Sequence, residues 1–285
     1  MKTLLRIGLA IIALTGFSAM ASANPNNVGP DACKKCHTAE HEVWSASQHF
    51  ASFKEIHKNK TAKDILKSID EKRMKKSETC QTCHYTVIDG KAEEGPSCES
   101  CHSPAKERID VHNDKKNDNS IQDAIAKGMI HSSMIFDIAS NCMDCHGLAN
   151  ENLPGDKAAA MLDAGHPLKP EWELVEYSQG QVRHRFYPPD VKSNQEMTDA
   201  QKSVYYVVGQ AAALVSATEA IAKTDHAKYV EAQNKRIATA TAVLQGIPEA
   251  ATLLGAPTKE NGRAFAEAVK GKDFSGQVSL PSKYK

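Results

Sequence analysis

Cys33-Lys34-Lys35-Cys36-His37 is the first of four copies of one pentapeptide. Cys80-Gln81-Thr82-Cys83-His84, Cys98-Glu99-Ser100-Cys101-His102 and Cys142-Met143-Asp144-Cys145-His146 complete the set, and together they use all eight cysteines of the chain. Two thiols separated by two residues can form thioethers to the two vinyl groups of one haem, and a histidine directly after them lies under the iron as proximal ligand. A redox dithiol does not require that histidine, and a zinc ribbon brings two C-x-x-C pairs to a single metal. The histidine after every pair therefore selects haem c. Four groups are expected, attached at Cys33 and Cys36, Cys80 and Cys83, Cys98 and Cys101, and Cys142 and Cys145, with His37, His84, His102 and His146 as proximal ligands.

The residues before the first motif read as a secretory signal. Lys2 and Arg6 form a positive start, Ile7 to Phe17 is mostly apolar, and Ala21-Ser22-Ala23 offers a small-residue cleavage site, which predicts a signal peptide over 1–23. The apolar run is too short for a comfortable membrane span, no second long apolar run follows, and no transmembrane segment is expected in the mature chain. Export agrees with the cofactor, because haem c is attached outside the cytoplasm, and the expected location is the periplasm. A disulfide-rich secreted domain is the other exported use of eight cysteines, and the four following histidines argue against it. The precursor carries 35 basic and 35 acidic residues. That balance gives no reason to expect nucleic-acid binding.

The mature chain divides by composition into a tetrahaem region, 24–153, and a cysteine-free C-terminal region, 154–285. In the first, Leu, Ile, Val and Phe are sparse, so haem faces must replace much of an apolar core, and the region is not expected to fold without them. A helix is predicted over 63–76 from Ile65, Leu66, Ile69 and Met74, an exposed loop over 113–119, and a short helix over 121–127 stopped by Gly128. In the second region, apolar residues at helical spacing predict helices over 198–223, about 227–245 after an Asp225 N-cap, and about 258–270. The expected fold is mainly α, with little regular sheet: a haem-packed region followed by a helical hairpin or bundle packed against it.

Eight histidines lie outside the motifs, enough for a second ligand on every iron: His41, His49, His57, His112, His131, His166, His184 and His226. The spacings around the motifs resemble those of the tetrahaem cytochrome c-554 family over roughly residues 31–150. Trp44 and Ser47-Gln48-His49 follow the first motif, with His49 twelve residues past His37, and His112 lies ten past His102. The resemblance implies that His49 serves the third haem and His112 the first. Lys127-Gly128 followed by His131 is similar to the segment that supplies the fourth. In the family's namesake the second haem lacks a protein distal ligand. Here His166, in Gly165-His166-Pro167, is favoured to close that site, because a residue before proline is held in an extended conformation, with His184 as substitute. His41, His57 and His226 read as surface residues.

Two functions follow. One is an electron carrier between redox partner proteins, a donor and an acceptor, with association into a respiratory complex compatible with it. The other is a small-molecule oxidoreductase acting on a nitrogen or sulfur oxide at one five-coordinate haem, the second; Arg183 and Arg185 would then bind an anion, or otherwise a haem propionate. The electron carrier is the leading reading, with no catalytic residues. The lysines from Lys54 to Lys76 offer a docking face for an acidic partner or a solvated helix surface.

Overall fold

The computed structural model describes residues 26–285, and the signal peptide expected over 1–23 lies outside them. The described chain is mainly helical. Its only sheet among the described residues is a two-stranded antiparallel hairpin, β1 (Thr86–Ile88) and β2 (Lys91–Glu94).

Short helices carry the motif region. They are α1 (Pro30–Lys34), α2 (Thr38–Ser45), α3 (Gln48–Glu55), α4 (Lys60–Ser68), α5 (Glu78–His84), α6 (Cys98–His102), α7 (Ser120–Ala126) and α8 (Ile135–His146). Neither α2 nor α3 buries a residue, in keeping with the sparse apolar content there. The helix predicted over 63–76 is shorter and begins earlier. Asn59 caps α4 by accepting from Thr61 N–H, and the chain turns at Asp70, which adopts a positive φ of 56°. Met74–Lys76 is a separate 3₁₀ turn.

The C-terminal region adds α9 (Gly155–Asp163), α10 (Leu174–Ser178), α11 (Asp199–Ala220), α12 (Ala227–Leu244), α13 (Ala251–Gly255) and α14 (Lys259–Ala268). Thr198 and Gln201 form a reciprocal capping box at the start of α11, and Thr258 caps α14. The residue at the α12 cap position is His226 rather than the expected Asp225, and its side chain makes no capping bond. Instead its Nε2 meets Asp163 at 3.0 Å.

Helix α11 is the axis of the fold. It is long and apolar enough to cross a membrane, yet 14 of its 22 residues are buried inside the protein. Its Val207, Val208 and Ala211 share a core with Phe136, Ala139 and Met143 of α8 and with Phe265 of α14. Gly262 permits this packing, because a Cβ there would strike the Phe136 ring. A second core joins Ile65, Leu66 and Met74 to Tyr85, Val87, Leu148, Met161 and Tyr229. Both cores therefore combine residues from either side of position 153, and the C-terminal helices hold the motif-bearing helices in place.

Candidate haem-binding site

Each motif forms its own turn of helix or closes one. The second, third and fourth end α5, α6 and α8 at their histidines, while His37 follows α1 and stands at the cap of α2. Glu99, inside the third motif, draws the first toward it. Its buried carboxylate accepts from the backbone N–H groups of Val28, Gly29 and Ala105, with bonds of 2.7 to 3.1 Å, which ties the strand of chain entering α1 to α6. The Cys33 and Cys98 thiols are consequently close enough for each to shift the other's pKa. The same relation holds between Cys101 and Cys142 and between Cys83 and Cys145. The motifs are thus neighbours in the order first, third, fourth, second.

Each proximal histidine faces one histidine from elsewhere in the chain. The ring centres of His37 and His112 are 6.3 Å apart, those of His84 and His166 6.1 Å, those of His102 and His184 6.3 Å, and those of His49 and His146 6.2 Å. An imidazole nitrogen lies about 2 Å from a metal it ligates and about 1.1 Å from its own ring centre, so two imidazoles on opposite sides of one metal have centres about 6.3 Å apart. Direct ring stacking would be much closer. All four separations match a shared metal, and the residues fit four haems with two axial histidines each.

Hydrogen bonds to the other ring nitrogen support the same fit. Nδ1 of His102 meets the Ile130 carbonyl at 2.9 Å, that of His112 the Arg108 carbonyl at 3.2 Å, that of His166 the Pro167 carbonyl at 2.9 Å and that of His184 the Val182 carbonyl at 2.6 Å. A carbonyl partner holds the proton on Nδ1 and leaves Nε2 as the ligating atom. Burial lowers the pKa of His49, His102 and His166 and pushes His84 and His146 down to about 4, keeping the neutral form that binds metal.

The pairing departs from the wiring implied by family resemblance. His112 faces His37 and His166 faces His84 as expected, but His49 faces the fourth motif rather than the third. The third faces His184, which sequence reasoning kept only as a substitute for His166. The ring facing His146 is that of His49, in the place the resemblance implied for His131. The segment of His131 is tied to the third motif by the Ile130 N–H donating to the His102 carbonyl, and the His131 Nδ1 lies 2.9 Å from the Ser133 hydroxyl. Position along the chain misled here because α3 leans across the sheet: Gly95 touches the His49 backbone so closely that a Cβ would strike its carbonyl. His41 and His226 are not surface residues either. Their side chains are 12% and 14% exposed, His41 lying edge-on to Trp44.

Other residues support the site, and of these Arg236, Trp172 and Tyr177 carried no signal in the sequence. Trp44 Nε1 donates to the Pro96 carbonyl and Ser47 caps α3, which orients His49. Arg236 of α12 donates to the carbonyls of His146, Gly147 and Lys169, fixing the end of α8. Trp172 and Tyr177 lie 5.5 and 6.0 Å from the His146 ring. Arg185 lies over the rings of Tyr187 and Tyr205, while Arg183 is 3.9 Å from Glu196. A cavity of about 390 Å³ opens between the second and fourth motifs, lined by Cys80, Cys83, His84, Cys145, His146 and the facing His49 and His166.

No curated protein and no solved structure matches this chain. Residues 32–103, which hold the first three motifs, match the family model described as cytochrome c554 and c-prime; that match supports a likeness to the c554 cytochromes, a family of c-type cytochromes whose haem is covalently bound.

Proposed function

We propose that the chain is an exported, periplasmic cytochrome with four c-type haems that carries electrons between redox partner proteins. In this reading residues 24–153 form the tetrahaem region, and residues 154–285 form a helical region that contributes His166 and His184 as axial ligands. The observation that carries it is the common 6.1 to 6.3 Å separation of four histidine pairs, each joining one motif histidine to one distant histidine. When bound, the haems supply one-electron redox chemistry. The chain's own part would be to supply two histidines to each haem, to hold each imidazole in the ligating tautomer and to set the motifs beside one another. An iron held by both histidines of a pair would have no open position for a small molecule. The His84 and His166 pair therefore weighs against an enzyme working at the second haem.

Mass spectrometry of the exported holoprotein should give four added haems and loss of residues 1–23. Electron paramagnetic resonance of the oxidised protein should contain only low-spin iron. His166→Ala should convert one of the four to high-spin and allow it to bind carbon monoxide when reduced. A high-spin iron in the unmodified protein that turns over nitrite or hydroxylamine would replace this reading with the enzymatic one.

A further inference from the structure

The second motif stands at one end of the motif series, next to the fourth alone among the thiol contacts described above, and α4 forms one wall of its cavity. Ala62, Ile65 and Leu66 on the inner face of that helix line the cavity. The outer face is basic. Lys60, Lys63 and Lys67 of α4 and the flanking Lys58, Lys72 and Lys76 are exposed, and among the described residues none of them is placed in an ion pair. From 54 to 78 there are nine Lys and Arg against five Asp and Glu, a net charge of +4 in a chain whose total is zero. Helix α4 carries a strong division between its two faces, apolar inward and cationic outward.

We infer that the lysine face of α4 is the docking surface of an acidic electron-transfer protein, and that electrons enter or leave through the second motif beneath it. This rests on the electron-carrier reading above. A helix with side chains is about 10 Å across, so a partner seated on α4 is separated from the cavity by one layer of structure. Electron tunnelling falls exponentially with distance, and this face offers a short route. Unpaired cations attract an acidic partner over several ångströms and orient it before contact, which raises the association rate at low ionic strength. Cations neutralised within the protein would do neither. The first motif lies at the other end of the series, with Cys36 and His37 exposed, so the two ends are free to serve different partners.

The test uses the full holoprotein and reduced flavodoxin, a small acidic flavin protein, as the probe. The second-order rate of haem reduction is followed by stopped flow over a range of salt concentrations. For the unmodified protein the rate should fall steeply with added salt. K63E/K67E should lower the low-salt rate about fivefold or more and flatten the salt dependence. K115E/K116E makes the same charge change in the exposed loop beside His112, near the first motif, and should leave the rate within about twofold. Equal losses in both variants, a loss confined to K115E/K116E, an undiminished rate in K63E/K67E, or a wild-type rate that is zero or indifferent to salt each overturn the assignment. Reduction by dithionite and the low-spin resonance spectrum of the same samples report separately on the electron-carrier reading, and should be the same in all three proteins.

Discussion

The imidazole of His49, at the start of α3, faces that of His146, at the end of α8, with 6.2 Å between ring centres and 43° between ring planes. Two rings about a shared metal are free to rotate about the line joining them, so this tilt is compatible with the ligand pairing proposed above. This pair crosses nearly a hundred residues of chain and sets His49 opposite the fourth motif.

The pairing makes a direct prediction. His49→Ala and His184→Ala should each convert one low-spin iron to high-spin, and the double variant should convert two. His131→Ala should convert none, because His131 is turned toward Ser133. Counting high-spin signals by electron paramagnetic resonance checks all four proteins. A high-spin iron in His131→Ala would restore the wiring implied by the c-554 resemblance.

What the sequence made legible follows from how local each interaction is. The motifs and proximal histidines are contained within five residues, and the helices α11 and α12 announce themselves by apolar period. The distal ligands are set by tertiary approach, and two features decided them that have no local signature. Gly95 lets α3 lie close enough to carry His49 toward the fourth motif, and the extended segment after α10 brings His184 to the third. His112 was within reach of spacing arguments because it is held by a short turn, its Nδ1 bonded to the Arg108 carbonyl four residues earlier. The burial of Glu99 was hidden for a related reason: a carboxylate between two motif cysteines looks solvated until the three amides it receives are seen together.

Glu99 should be the most sensitive polar residue outside the ligands. Glu99→Ala strands the buried N–H groups of Gly29 and Ala105 and frees the half-buried one of Val28, and at about 1 to 3 kcal/mol for each buried unsatisfied group the loss should be about 2 kcal/mol or more. Glu99→Gln keeps one oxygen but turns an NH₂ donor toward amide donors, so it should also destabilise, by less. Denaturant titration of the holoproteins measures both. A loss under about 1 kcal/mol for the alanine variant would contradict the clamp between the first and third motifs.

Arg236 places a buried guanidinium behind the fourth motif, donating to the His146 and Gly147 carbonyls, and burial lowers its pKa to about 10, which leaves it charged at neutral pH. A fixed positive charge favours the reduced state of a nearby iron. Arg236→Met should therefore lower the midpoint potential of one haem and leave the other three nearly unchanged, as read by spectroelectrochemical titration. Arg236→Lys keeps the charge without the planar fork and should retain most of the potential while still losing stability. Equal potential shifts in the two variants would assign Arg236 a purely structural role.

Glu173 gives the fold a pH dependence in the opposite sense from most carboxylates. Its side chain caps α10, accepting from the Val175 and Glu176 N–H groups at 2.8 Å, yet burial outweighs those bonds and pushes its pKa up to about 7. The folded protein thus holds this proton more tightly than the unfolded chain does. The contribution to stability is fully present below the ordinary glutamate range and is lost as pH rises through about 7. Glu173→Gln keeps an acceptor for one amide and cannot ionise. The difference in thermal midpoint between variant and parent should therefore shift in favour of the variant as pH is raised from about 4.5 to about 8, the range over which Glu173 loses its proton. A constant difference over that range would mean that the cap, rather than the buried charge, is all that Glu173 contributes.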